Sequence, residues 1–146
     1  RTWGVEDRIR FRLCDGLSGI APEEVDAPVI AGMGGETIAN ILEAAPWVKE
    51  KDFPIILQPM STQAELRGWL WRNGFLCLRE KTVLEGETLY SIILARQGGA
   101  VPMTPAEEWA GRQYPGMEDP LRGLLLDHLL GRVRRAAGSW SRSWRA

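Results

Sequence analysis

The residues best suited to chemistry in this sequence are small. Gly32-Met33-Gly34-Gly35 places three glycines in four positions directly after the apolar run Val29-Ile30-Ala31. Glycine removes the Cβ atoms that keep a ligand away from the backbone, and ligands of parallel α/β sheets bind at the carboxyl ends of strands. Gly32, Met33, Gly34 and Gly35 are therefore the candidate active-site floor. Asp15-Gly16-Leu17 follows the alternating stretch Ile9–Cys14. A carboxylate there could accept a hydrogen bond from a nucleotide-like ligand, although Asp-Gly is also a common turn pair. Gln58-Pro59 closes a further apolar run, Pro54-Ile55-Ile56-Leu57. After Asp127 the chain is purely basic, with Arg132, Arg134, Arg135, Arg142 and Arg145 and two tryptophans, Trp140 and Trp144. Such a tail suits phosphates, and equally a helix end whose cations complement the dipole before a frayed terminus.

Other reactive side chains offer less. The sole histidine, His128, has no metal cluster or Ser/Cys partner by spacing and reads as a residue on a helix face. Cys14 and Cys77 lie far apart, each within an expected strand, and read as small buried residues in a reducing compartment.

The elements that must hold these residues follow from periodicity. Ile9, Phe11 and Leu13 alternate with Arg10 and Arg12, which predicts a strand. Val25–Ala31 predicts a short buried strand, followed by an amphipathic helix to about Ala45 that carries Ile38, Ile41 and Leu42 and has Glu36 in its first turn. The Pro54–Leu57 run predicts a strand covered on both faces. Thr62-Gln63-Ala64-Glu65 matches a capping box, Leu66, Trp69 and Leu70 share the next helix face, and Asn73-Gly74 supplies its stop. Of Trp69 and Trp71, one is expected in the core and the other partly exposed. Phe75–Leu84 and Thr88–Arg96, joined by Glu85-Gly86-Glu87, read as a hairpin. The expected order is strand and helix three times over, then the hairpin with an antiparallel closing strand.

Gln97-Gly98-Gly99-Ala100 marks a composition break, which predicts a unit over 1–99 and a helical, basic region over 100–146. In the latter, Pro105–Arg112 and Pro120–Ala137 look helical, the second with a stripe of Leu121, Leu124, Leu125, Leu129 and Val133. The composition, 45% hydrophobic and 25% charged with net charge −1, is that of a globular protein. No apolar run is long enough to cross a bilayer and the start lacks a signal-peptide core, so the cytoplasm is the expected location. The chain starts at Arg1 without a methionine and is expected to begin inside a longer protein.

In order along the chain, Asp15-Gly16-Leu17, Ile30-Ala31-Gly32-Met33-Gly34-Gly35, Leu57-Gln58-Pro59, Asn73-Gly74-Phe75 and Tyr90-Ser91-Ile92-Ile93 resemble the bacterial TrmK-type tRNA adenine N1-methyltransferases, which act on adenosine 22 of tRNA. The resemblance covers about residues 6 to 99. It implies an α/β fold: the C-terminal part of a Rossmann-like class I methyltransferase sheet, mostly parallel with the last strand antiparallel, then the start of a helical region. The first strands and their glycine-rich loop would lie upstream. It further implies S-adenosylmethionine as cofactor and tRNA as partner, with no metal and no membrane; oligomeric state is left open. Asp15, Gly16, Leu17 and Gly32 look like cofactor contacts, Gly32 to Gly35 like the wall between methyl donor and target base, and Gln58 and Pro59 like the neighbouring substrate contacts. Met60 stands where relatives are expected to carry a polar residue.

Two other readings compete. Gly32-Met33-Gly34 begins a dinucleotide fingerprint, but Thr37 occupies the third glycine position. A methyltransferase with another acceptor, or a non-catalytic RNA-binding or assembly module, would share much of the pattern.

Overall fold

The structure is a computed structural model that describes residues 4–113 and 117–143. A strand β1 (Val29–Gly34) leads straight into helix α1 (Gly35–Glu43), and β2 (Ile55–Ser61) leads into α2 (Gln63–Arg72). The hairpin β3 (Phe75–Glu85) and β4 (Thr88–Gln97) follows, then α3 (Pro105–Ala110) and the long α4 (Arg122–Ser143).

The four strands form one sheet in the order β1-β2-β4-β3. β1 and β2 pair in parallel, and β4 is antiparallel to both β2 and β3. The last strand is thus antiparallel as expected, and it is inserted between β2 and β3. The carboxyl ends of β1, β2 and β3 consequently share one edge.

One face of the sheet is sealed. Ile30, Ile55, Leu57, Ile93, Ala95 and Phe75 are buried there against Ile38 and Leu42 of α1 and Leu66 and Leu70 of α2. The register sets Ile55 opposite Ala95 and Leu57 opposite Ile93, which aligns these side chains. On the other face Ile56, Ile92 and Leu94 are only half-buried, so the two-sided cover expected for β2 is incomplete. α1 and α2 pack against each other and therefore cover the same face.

Several local expectations give way. Residues 9–14 form no strand: Ile9, Phe11 and Leu13 are exposed, Cys14 is exposed in a bend, and two strand–helix units rather than three precede the hairpin. An alternating pattern becomes a strand only when a neighbour takes up its backbone groups. Here the segment closes on itself instead. Arg12 forks onto both carboxylate oxygens of Glu24 and donates to the Gly19 carbonyl at 2.9 Å. That pair holds the Glu24 carboxyl down at about 2, first through the arginine hydrogen bond and then through the Ala21 amide. Lys51 ties the same loop to the core through the Val25 carbonyl at 2.8 Å.

The helices also differ in extent. α1 ends at Glu43, and α3 stops at Ala110 because Gly111, at φ 72, turns the chain away. Leu125 of α4 is buried, and Leu129 and, just before the helix, Leu121 are half-buried, but Leu124 and Val133 are 49% and 51% exposed. Trp69 and Trp71 are both half-buried: Trp69 stacks on Phe75 at 5.7 Å, and the Trp71 indole donates to Glu108 at 2.8 Å.

Candidate functional site

Sequence alone places the three glycines in a turn, whereas the structure carries Gly32 and Gly34 inside β1. Ala31 lies opposite Gln58, Met33 opposite Pro59 and Gly34 opposite Ser61, with register shifts on either side of Met33. Proline has no N–H for a ladder, and Pro59 sits where the pairing slips. Gly32 is left over as a bulge at φ 77, a conformation that favours glycine. Its amide finds another acceptor, the Gln58 side-chain oxygen at 3.0 Å. The Gln58 amide group in turn donates to the Pro59 carbonyl at 3.2 Å.

Each glycine answers a different demand. A Cβ on Gly32 would meet nothing within 4 Å, so this bulge faces open space. A Cβ on Gly34 would lie 3.3 Å from the Ser61 hydroxyl oxygen, which makes this position close but not closed. A Cβ on Gly35 would overlap the Thr62 carbonyl oxygen and come within 3.0 Å of the Leu66 Cβ. Gly35 is buried, and its bareness lets the starts of α1 and α2 touch. The surface offered to a ligand is thus Ala31 to Gly34, and Gly35 draws the two strand ends together beneath it.

Thr62 completes that junction. The expected capping box is absent: Thr62 adopts left-handed φ 49, and its hydroxyl oxygen accepts from the Glu36 amide at 3.3 Å, capping α1 instead of α2. Such backbone strain on a threonine persists only where its surroundings enforce it, here the contact with Gly35.

The remaining sequence candidates lie on other elements. Asp15 is exposed in a tight turn, with the Ser18 amide bonded to its carbonyl at 3.0 Å. Gly16, at φ 54, presses on Ile41, about 9 Å along α1 from Gly35 at 1.5 Å rise per residue. Leu17 packs against the core. Arg132, Arg134 and Arg135 are exposed on α4; the Arg132 guanidinium lies over the Trp109 ring at 5.7 Å, and Arg135 bends back toward Gly131. The side chains of Trp140 and Arg142, together with Trp144 and Arg145, lie outside the described residues, as do Arg1 to Trp3.

Sequence reasoning missed the joint that fixes α3 and α4 to this frame. Arg67, on the buried side of α2, pairs with Glu80 of β3 at 2.9 Å; the side chains are 2% and 8% exposed. Arg67 also donates to the Glu108 and Trp109 carbonyls at 2.7 and 3.1 Å. Arg122 at the start of α4 donates to the Ala110 and Gly111 carbonyls, and burial lowers its pKa. Two guanidinium groups therefore satisfy the orphan carbonyls that end α3. The signal was Arg67 itself, on the flank of the Leu66–Leu70 face, where a long charged side chain ordinarily reaches out to solvent.

Chemically, the β1/β2 edge is built to position rather than to titrate. Its polar groups are the Gln58 amide, Ser61, Thr62 and the strand backbone, with Met33 and Met60 exposed beside them. Cys77 is no nucleophile at neutral pH, because burial pushes its thiol up to about 11. Among the described residues no group of three or more His, Cys, Asp or Glu gathers for a metal, and no helix is long and apolar enough to cross a membrane.

Comparison with known proteins adds to this geometry. The family model described as "Methyltransferase domain" matches residues 1–93. A curated relative, the tRNA (adenine(22)-N(1))-methyltransferase of Bacillus subtilis, is 36% identical over 95 residues, which covers 65% of this chain and 40% of that protein. The chain therefore spans less than half the length of this relative. Among solved structures, a protein of the NADB-Rossmann superfamily from Streptococcus agalactiae matches with a TM-score of 0.79 at 27% identity, over 93% of this chain and 60% of the other. A candidate tRNA (m1A22) methyltransferase of Streptococcus pneumoniae, in complex with S-adenosyl-L-methionine, matches with a TM-score of 0.78 at 26% identity, over 91% and 64%.

Proposed function

We propose that this chain, which belongs to the methyltransferase-domain family, forms part of a cytoplasmic enzyme that transfers a methyl group from S-adenosylmethionine to N1 of an unpaired adenosine in tRNA. The observation that carries the proposal is the β1/β2 edge: an open glycine bulge at Gly32, held by Gln58. The Bacillus and Streptococcus relatives support the choice of cofactor and acceptor.

The residues fit such a cofactor. At Gly32 the open space is what an added side chain would fill, so the backbone there can lie against a flat or extended ligand. Asp15 is exposed as a hydrogen-bond acceptor, and Leu17, two residues on, packs against the core. When bound, S-adenosylmethionine supplies a sulfonium methyl that is already activated. Adenine N1 is nucleophilic in its neutral form and free only when the base is unpaired or flipped out. No residue has to remove a proton before attack. What remains for the protein is to orient the base, which can contribute several kcal/mol through approach geometry alone. Gly32 to Gly34 would form the wall between donor and base, and Gln58 would fix that wall through the Gly32 amide. Gly35 and Thr62 hold the wall to both helices.

The test uses the protein as its gene encodes it: calorimetric titration of S-adenosylmethionine, then methylation of unmodified tRNA with mapping of the modified base. Expected are cofactor binding and 1-methyladenosine, with transfer abolished by Gly34→Val and strongly reduced by Gly32→Ala while melting shows both variants folded. Cofactor binding without RNA methylation would remove tRNA as acceptor. Full activity in both folded variants would refute the role given to the glycine wall.

A further inference from the structure

Beside the glycine edge lies a cleft that the methyl-transfer chemistry does not use. It has a volume of about 260 Å³, and Gln63, Ser91, Trp109, His128 and Arg132 line it between the start of α2, the start of β4, α3 and α4. A neighbouring hollow of about 120 Å³ shares Gln63, Trp109 and Arg132 and reaches Thr62. Thr62 is the residue whose hydroxyl meets the Glu36 amide, so the hollow adjoins the start of α1, just after β1, through that side chain. Its size is near the lower end of small-ligand pockets, which run from about 300 Å³ upward. One nucleotide fits that scale; a length of strand does not.

The lining specifies the chemistry. Trp109 is 48% exposed, and its backbone is held because Arg67 bonds its carbonyl at 3.1 Å. An exposed indole on a fixed backbone is a surface on which an unpaired base can stack. Arg132 stands over that ring at 5.7 Å, and among the described residues no carboxylate pairs with it. A guanidinium so placed suits a phosphate. Glu65 and Glu87 at the rim disfavour a bare anion, but they can accept from the amino edge of a base.

The geometry points to this cleft as a subsite for one unpaired nucleotide of the RNA substrate next to the methylated base, with its base stacked on Trp109 and its phosphate on Arg132. This rests on the tRNA reading above. It makes Trp109, which no spacing singles out, a determinant of substrate binding, and it gives Arg132 a role separate from Arg134 and Arg135.

The experiment measures anisotropy of a labelled short unpaired oligoribonucleotide, a labelled duplex of equal length and unmodified tRNA, over a range of salt. Trp109→Ala is expected to weaken the unpaired ligand about tenfold and to leave the duplex unchanged, with most of the loss restored by Trp109→Phe. Arg132→Gln should weaken both the unpaired ligand and tRNA several-fold and lower the salt slope by about one. Arg96→Gln, whose cation pairs with Asp52 at 3.3 Å on another part of the surface, is the charge control and should bind as the parent does. Thermal melts establish that each variant is folded. If the parent binds and methylates tRNA while Trp109→Ala and Arg132→Gln bind as it does, the subsite is overturned and the tRNA reading stands. An equal loss in Arg96→Gln would reduce the Arg132 effect to general charge and overturn it too. A parent that neither binds nor methylates RNA would remove both.

Discussion

Replacing Arg67 by methionine tests how the helical region is held to the sheet. The substitution keeps a long unbranched side chain but removes the partner of Glu80 at 2.9 Å and the donor to two α3 carbonyls. Breaking a buried ion pair from one side costs about 3–5 kcal/mol, mostly because the other charge stays buried. Arg122 moderates this, since its guanidinium and the Glu80 carboxylate both crowd the place where a Cβ on Gly111 would be. The lower end is therefore expected, about 3 kcal/mol, which for a chain of this size corresponds to a fall in Tm of about 6–12 °C. Urea unfolding followed by tryptophan fluorescence gives the free energy directly. The double variant Arg67→Met, Glu80→Leu should recover part of the loss, because it removes the stranded carboxylate while the two α3 carbonyls still lack their donor and Arg122 loses its neighbouring charge. A single variant that loses under about 1 kcal/mol, or a double variant as weak as the sum of the singles, would refute the reasoning.

Two further outcomes follow from the same geometry. Gly35→Ala drives a Cβ into the Thr62 carbonyl and should cost about 2 kcal/mol or more in thermal melts, whereas Gly34→Ala, at φ −63 and 3.3 Å from the Ser61 oxygen, should stay within about 1 kcal/mol of the parent. The Glu24 carboxyl, held at about 2 against an ordinary 4.5, should remain ionised in NMR titrations well below pH 4; its pair with Arg12 contributes in full above pH 4.5 and fades as pH falls toward 2. Arg12→Gln should return that carboxyl upward.

Much of the frame was legible in the sequence because it is governed by local rules. The parallel strands, the helices after them, the Asn73-Gly74 stop and the two-residue turn at Gly86-Glu87 each follow from periodicity or from glycine's tolerance of positive φ. The candidate site was legible as a glycine cluster next to Gln58-Pro59, yet not in its form. That Pro59 slips the register and leaves Gly32 as a bulge depends on which residue lies across the ladder. Likewise, Thr62 caps the neighbouring helix because Gly35 brings it there, an interaction across 26 residues that a capping pattern cannot express. Residues 9–14 fail as a strand for the same kind of reason, since pairing is decided by a neighbour and not by alternation. Arg67 shows the converse: nothing in its local context announces a buried charge, which only the carbonyls of α3 and Glu80 make tolerable.

The insertion of β4 between β2 and β3 also sets an order of events during folding. β3 and β4 meet across two residues, the shortest loop closure in the sheet, while β2 can join only by pairing with β4, more than 30 positions further along the chain. β1 and β3 do not touch, so neither can template the other, and loop-closure entropy favours the hairpin as the part expected to form first among these strands. Gly86, at φ 59 in its turn, is then the residue whose replacement by a β-branched side chain is expected to slow folding as well as to weaken the hairpin, which stopped-flow refolding would show.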